Sequence, residues 1–344
     1  MDALLSTWQD QIRHAAAHRQ TLCLRGSQSK QFRLLPSVGR SLDTRAYAGV
    51  VDYQPRELVI TARAGTPLTV LESLLAIQRQ QLPFEPPHFG PQATLGGCVA
   101  AGLSGPARAY TGSVRDYVLG VRLLDGQGQH LRFGGTVMKN VAGYDVARLL
   151  AGSWGTLGLI TEVSLKVLPQ AAATATQVWF HTQAEAITRM NQLAQLPWPI
   201  TASSWFAGQL HLRLAGSVTA VAAAQQALGG ETLPDSARFW RDLREQTPAF
   251  FRHAALWRLS IKATAPVCPL GDCWLEWGGS LRWLVTAAPA AQVGAWAAQH
   301  GGTALLWREG LAPPMPPLAA AAQALQQRIK VVFDPAGVFA DRRP

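Results

Sequence analysis

Charge is scarce in this 344-residue chain: Asp, Glu, Lys and Arg make up 15% of it, against roughly 25% in an average soluble domain. A disordered protein has the opposite composition, so that class is excluded. The 48% of hydrophobic residues is enough for two domains with real cores. Cysteine is scarcer still. Cys23, Cys98, Cys268 and Cys273 are the whole complement and form no CxxC, which excludes a disulfide scaffold and an iron–sulfur ligand run and points to a reducing compartment. Cys268 and Cys273 read as buried or surface thiols rather than metal ligands. No apolar run approaches the about 20 residues of a membrane span. Residues 3–18 mix Asp10, Arg13 and His14 into the apolar positions, so no signal-peptide core is expected. The uncharged stretch 192–212 is spoiled as a membrane helix by Pro197, Pro199 and its Gln and hydroxyl residues.

Common catalytic signatures are missing too. No Lys precedes Ser or Thr, which excludes a Walker A loop; HExxH and GxGxxG are absent, and no two His lie two apart, which argues against a compact histidine metal site. The net charge of +10 is spread over scattered residues, with no basic run longer than Arg342-Arg343. Nucleic acid is therefore not expected as a partner. A diffuse positive field suits an acidic subunit, an anionic cofactor or a lipid surface, and a general basic bias explains it equally well.

What is present begins with a helical face, Leu4, Leu5, Trp8, Ile12 and Ala15, with Asp2 as its expected N-cap. A strand at 21–24 runs into a loop of small residues, and 57–63 reads as another strand. Thr66 and Pro67 suggest an N-cap and first turn for a helix carrying Leu68, Leu71 and Leu75. Val118–Leu124, the turn Asp125-Gly126-Gln127-Gly128 and His130–Phe133 read as a hairpin. Residues 140–151 look helical, and 159–167 alternate as a strand. Pro169 and Ala171-Ala172-Ala173 mark a domain boundary. Beyond it, strands (176–180, 209–214, 256–262, 281–287, 303–307) and helices (183–196, 217–228, 290–300, 316–330) suggest an α+β domain with one sheet.

Three segments can approach an anion. Gly26-Ser27-Gln28-Ser29 follows a strand, with Arg25 and Lys30 at its edges; successive N–H groups there can converge on phosphate oxygens because no large side chain intervenes. The passage 91–102, with Thr94, Leu95, Gly96 and Gly97, carries almost no bulk and no charge, too apolar for a solvated loop and too glycine-rich for an ordinary helix. The third, Gly152-Ser153-Trp154-Gly155-Thr156-Leu157-Gly158-Leu159-Ile160-Thr161, repeats glycine at every third position before the alternating strand. Any one of them could be a plain turn; three within one region call for a shared ligand, a pyrophosphate in a buried channel.

Residues 20–170 resemble the FAD-binding domain of the vanillyl-alcohol oxidase / para-cresol methylhydroxylase (PCMH) family. The resemblance rests on the Gly26–Lys30 loop, Ala93-Thr94-Leu95-Gly96-Gly97, Gly112-Ser113-Val114-Arg115-Asp116-Tyr117-Val118-Leu119-Gly120, Asn140-Val141-Ala142-Gly143-Tyr144-Asp145 and the glycine-triplet segment, in the family's order. A closer resemblance, to the FAD-binding subunits of bacterial glycolate oxidases, is carried by Leu82-Pro83-Phe84-Glu85-Pro86-Pro87-His88-Phe89-Gly90, by Leu131-Arg132-Phe133-Gly134-Gly135 with Val137-Met138-Lys139-Asn140, and by Val332-Phe333-Asp334-Pro335-Ala336-Gly337-Val338-Phe339.

The resemblance implies an α+β protein: a PCMH-type FAD-binding domain of two α+β subdomains (1–170), an α+β cap domain (171–325) and a C-terminal segment returning to the FAD domain (326–344). It implies cofactor contacts from Gly26, Ser27, Gln28, Ser29 and Lys30, from Thr94, Leu95, Gly96 and Gly97, from Ser113 and Asp116, and from Gly152, Ser153, Gly155, Thr156, Gly158 and Ile160; Arg25 flanks the first loop. Ser29 stands where relatives with covalent flavin often have His, so non-covalent FAD is expected. Two departures stand out: the His-x-His motif of relatives that oxidise 2-hydroxy acids is absent, and the family's C-terminal Asn-Pro-Gly-Arg is replaced by Ala340-Asp341-Arg342-Arg343-Pro344. The implied function is a FAD-binding subunit of a glycolate-oxidising complex, working with a homologous catalytic FAD subunit and an iron–sulfur subunit, in the cytoplasm or peripheral at the inner face of the plasma membrane. A non-catalytic assembly subunit and a stand-alone FAD oxidoreductase of another hydroxy acid are the competing readings. Hydroxy-acid oxidation needs a carboxylate clamp, a base and a hydride acceptor. The base candidates are Lys139, Tyr144 and His88, against structural readings in which Asn140 or Asp145 caps a helix, the Tyr144 hydroxyl is buried, and His88 merely supports its loop.

Overall fold

The computed structural model describes residues 2–136, 144–307 and 318–341. The chain divides into two compact units. The first comprises Met1–Leu103, Ser113–Pro169 and Leu318–Pro344, and the second Ser104–Gly112 and Gln170–Pro317.

In unit 1 the apolar spacing of the first residues closes into α1 (Asp2–Ala17), which buries Trp8, Ile12 and Ala15. The helix includes Asp2 as its first residue rather than starting after it as a cap, and the Asp2 side chain lies outside the described residues. Strand β1 (Leu22–Arg25) pairs in parallel with β2 (Arg40–Asp43). The main sheet adds β3 (Val50–Gln54), β4 (Val59–Arg63), β5 (Val118–Leu124), β6 (His130–Gly134) and β7 (Leu159–Lys166), all antiparallel, in the order β3-β4-β7-β5-β6. Strand β7 is central, so both of its edges are paired, and its polar residues are drawn into the interior. Thr161 and Ser164 are buried there, bonded through their hydroxyls to His130 Nε2 at 2.9 Å and Thr61 Oγ1 at 2.8 Å. In the hairpin turn Asp125 Oδ1 accepts the N–H groups of Gln127 (2.9 Å) and Gln129 (2.8 Å), an Asx turn.

Helix α2 (Leu68–Ile77) presses Leu68, Leu71 and Leu75 into the core. Its N-cap is Pro67, not Thr66; the Thr66 hydroxyl instead accepts from Gly49 N (2.9 Å) and donates to Gly49 O (3.2 Å), pinning the entry to β3. Of the helix expected at 140–151, residues 140–143 lie outside the described residues, and the described part holds Val146–Leu149 behind an Asp145 cap, whose carboxylate accepts from Arg148 N at 3.2 Å. Lys139 and Asn140 lie outside the described residues. The C-terminal helix Ala320–Phe333 ends at Asp334, whose buried carboxylate accepts from Lys330 Nζ (2.5 Å), Val338 N (2.8 Å) and Phe339 N (2.8 Å). The tail then runs beside β1, with Leu22 N donating to Val338 O at 2.7 Å.

Unit 2 contains one antiparallel sheet. Its strands are β8 (Ala173–Phe180), β9 (Ile200–Phe206), β10 (Gln209–Gly216), β11 (Leu256–Ser260), β12 (Asp272–Glu276), β13 (Leu281–Val285) and β14 (Thr303–Leu306), with the short Glu231–Thr232 strand at one edge. The order is Glu231–Thr232, β8-β10-β9-β12-β13-β11-β14. Besides the short Glu231–Thr232 strand, the sequence reading lacks β9 and β12, which pair at the centre and join the halves. Strand β9 hides its hydroxyls: Ser203 and Ser204 are fully buried, accepting from Tyr110 Oη (2.9 Å) and Trp274 Nε1 (2.7 Å) respectively.

Candidate cofactor-binding site

The chain after β1 cannot continue as a strand because Gln28 takes a left-handed conformation (φ 62°), which turns the loop back on itself. A groove with room for about 120 Å³ of solvent begins there. Arg25 to Gln31 form one wall, Thr94, Gly96, Gly97, Ala100 and Ala101 a second, and Trp154, Gly155, Gly158, Leu159 and Ile160 a third. The three side-chain-poor segments of the sequence thus meet in one place.

The middle segment is a helix after all. Thr94 caps α3 (Leu95–Ala101), its hydroxyl accepting from Gly97 N at 3.3 Å, and Gly102 ends it in the left-handed region at φ 67°. Glycine is needed at 96 because the helix crosses β4 closely: a Cβ there would sit 2.7 Å from Ala64 Cβ. Leu95 faces the core and does not line the groove.

Donor bookkeeping separates the walls. Leu95 N donates to Thr66 O (2.9 Å), Gly96 N to Ala64 O (2.7 Å) and Cys98 N to Thr94 O (2.9 Å), so the start of α3 has spent its donors on the protein. Trp154 N is likewise taken by Ala100 O at 2.8 Å. By contrast, the N–H groups of Ser27 and Gln28 meet no acceptor among the described residues, and Arg25 Nε is buried without a hydrogen-bond partner. Ser27 is half-buried and Gln28 exposed, so these donors are open at the groove, and successive free N–H groups on one turn suit an anion. The Gly155 N–H of the third wall likewise meets no acceptor among the described residues, and a Cβ at Gly26 would lie 2.7 Å from Thr94 Oγ1, so the first two walls touch only because residue 26 is glycine.

Lys30 adds charge. Its buried ammonium donates to Ser29 Oγ (3.5 Å) and His88 O (3.3 Å) and lies 5.7 Å from the centre of the Phe89 ring. His88 is buried, its Nε2 3.2 Å from Glu72 Oε1 on α2, and it is not among the groove residues. Its geometry is that of a support: α2 holds the ring, and the His88 carbonyl holds Lys30. Behind α3, burial pushes the Cys98 thiol up to about 12, so it stays protonated.

The remaining sequence candidates lie off the groove. Ser113 and Asp116 form a capping box for the short helix Val114–Tyr117, Ser113 N and Oγ donating to Asp116 Oδ2 at 2.7 and 2.9 Å. The Ser113 N–H, first among the causes, holds the Asp116 carboxyl below the usual carboxylate range. Gly152 N donates to Val99 O (3.0 Å), tying the third segment to α3, and Thr156 Oγ1 donates to Ser153 O (2.8 Å). Tyr144 is 96% exposed, which overturns the buried-hydroxyl reading.

A family profile described as an FAD binding domain matches residues 6–134. Over 332 residues the chain is 44% identical to glycolate oxidase subunit GlcE of Escherichia coli (strain K12), spanning 96% of this chain and 94% of that one. The chain belongs to the GlcE family of glycolate oxidase subunits. It carries an FAD-binding domain, and FAD is its cofactor. Shorter stretches are similar to GlcD of Bacillus subtilis (strain 168), 33% identical over 35% of this chain and 26% of that one, and to a D-lactate dehydrogenase of Archaeoglobus fulgidus, 34% identical over 40% and 31%. An alkyldihydroxyacetonephosphate synthase structure aligns with 96% of this chain and 73% of its own at TM-score 0.66 and 16% identity, so the GlcE-family chain shares its α+β, PCMH-type fold. Among the described residues no helix is long and apolar enough to cross a membrane.

Proposed function

We propose that this chain is the FAD-binding subunit of a complex that oxidises glycolate to glyoxylate, with the FAD diphosphate lying in the groove of unit 1. The observation that carries this reading is the pair of unspent N–H donors at Ser27 and Gln28 in a loop that Gly26 allows to close against Thr94. When bound, FAD supplies the acceptor for the hydride that leaves the hydroxyl-bearing carbon. Ser27 and Gln28 donate to phosphate oxygens, the Lys30 ammonium offsets their charge, and Ser29 and Arg25 border the same loop. Thr94, Gly96 and Gly97 form the opposite wall. Gly155, Gly158 and Ile160 close the third side and exclude water. Leu95, Gly152, Ser153 and Thr156 hold those walls in place, and Ser113 and Asp116 fix the turn into β5.

Attachment is non-covalent, since Ser29 offers no imidazole for a flavin bond. A GlcD-type catalytic flavin subunit and an iron–sulfur subunit complete the complex, and the net positive charge favours peripheral association with an anionic membrane from the cytoplasmic side. The test is purification of the chain alone and with those two subunits. Flavin absorbance that stays with the folded chain, leaves on denaturation and supports glycolate-dependent dye reduction only in the mixture is the expected result. Absence of flavin makes the chain an assembly subunit, and turnover by the chain alone makes it a self-sufficient oxidoreductase.

A further inference from the structure

The excursion Ser104–Gly112 leaves unit 1 and builds part of unit 2, where Trp277 Nε1 donates to Gly105 O at 3.0 Å. Arg108, on that excursion, lies with its guanidinium carbon 4.5 Å from the centre of the Trp277 ring. Arg258, on β11, stands 5.3 Å from the same ring and 5.9 Å from both Trp283 and Trp307. The indoles cannot rotate away, because Trp283 Nε1 donates to Glu276 Oε1 and Trp307 Nε1 to Gln246 Oε1, each at 2.7 Å.

Neither guanidinium donates a hydrogen bond among the described residues, although Arg258 is partly buried between aromatic walls. Two planar forks close enough to repel one another, each with its N–H groups unspent, are an arrangement that an oxyanion completes. Burial, then the charge of Arg108, brings Arg258 down to about 10, so it still carries its charge at neutral pH. Glu276 acts electrostatically on Arg258 from beside the pair, so a monoanion suits the cluster better than a phosphate dianion.

We propose that Arg108 and Arg258 together bind one small monocarboxylate in unit 2. The assignment of that carboxylate to a 2-hydroxy acid rests on the glycolate oxidase reading above; the anion site itself does not. Nothing in the sequence marked either arginine, because the two are 150 positions apart and share only Trp277.

The test titrates the purified full chain with glycolate, glycolamide and inorganic phosphate, following indole fluorescence, while flavin absorbance is read on the same samples. Arg258→Gln, Arg108→Gln at the exposed arginine and the control Arg213→Gln, whose guanidinium donates to Thr201 Oγ1 (3.1 Å) and lies over the Trp240 ring (5.2 Å), are compared. Saturable glycolate binding weakened about tenfold or more in R258Q and in R108Q, unchanged in R213Q, and absent with glycolamide is the expected result. Equal glycolate binding in wild type and R108Q, or phosphate binding tighter than glycolate, overturns the proposal. Flavin retained in a chain whose glycolate response ignores both arginines sinks this site and leaves the flavin reading standing. Arginine-dependent glycolate binding by a chain without flavin does the reverse.

Discussion

In unit 1 the donors open to a ligand are main-chain N–H groups that glycine leaves uncovered; in unit 2 they are guanidinium forks held between indoles. The first kind of site is fixed by backbone conformation, so it is intolerant of an added Cβ and indifferent to titration. The second is fixed by side chains from segments distant in sequence, so it tolerates small backbone changes and responds to charge. The contrast extends to the cores: unit 1 closes its walls by close approach around glycines, whereas unit 2 stacks Phe206 on Trp274 (ring centres 4.3 Å apart) and packs Phe251 against Trp283 (5.6 Å).

The strongest blow to unit 1 should come from Gly158→Ala. Residue 158 has φ 151°, and a Cβ would lie 2.6 Å from Leu124 O on β5, a backbone atom that cannot yield cheaply. A loss of about 3 kcal/mol in urea unfolding is expected, together with loss of flavin. A change under about 1 kcal/mol would mean the third wall does not depend on its glycine.

In unit 2 the comparable lever is pH. His211 is buried against the Phe239 ring, centres 4.2 Å apart, and burial brings it down to about 4 from 6.5. The unfolded chain therefore takes up this proton first as pH falls. The contribution is fully present above pH 6.5 and is lost as pH falls to about 4, an effect of about 3 kcal/mol at most. His211→Phe should flatten the dependence of Tm on pH across that window; an unchanged slope would place the acid sensitivity elsewhere.

The smallest effect sharpens the boundary of the groove. If Ser113 works through its capping box, Ser113→Ala should cost about 1 kcal/mol of stability and leave flavin retention intact. Flavin loss without loss of stability would move Ser113 into the cofactor site.

Much of unit 1 was legible because its signals are local. Alternation marked β7, and the small-residue loop after β1 and the glycine-triplet segment marked two of the groove walls. The middle wall was misread: glycine argued against an ordinary helix, although Thr94 and Gly102 are capping signals, and Gly96 is needed for the close approach to Ala64. In unit 2, β9 was missed because Thr201, Ser203 and Ser204 look solvated in a sequence, whereas Tyr110, Trp274 and the backbone of Gly278 make the burial of Ser203 and Ser204 tolerable. The support given by Glu72 and His88 to Lys30, and the meeting of Arg108 with Arg258, depend on residues no local pattern connects.

Hydrogen–deuterium exchange on the purified chain, with and without added FAD, tests the groove most directly. The Ser27–Lys30 amides should gain protection on binding, while Leu95–Cys98, whose N–H groups are already spent within the protein, should change little. Protection gained at Leu95–Cys98 with none at Ser27–Lys30 would contradict a diphosphate held by the first loop.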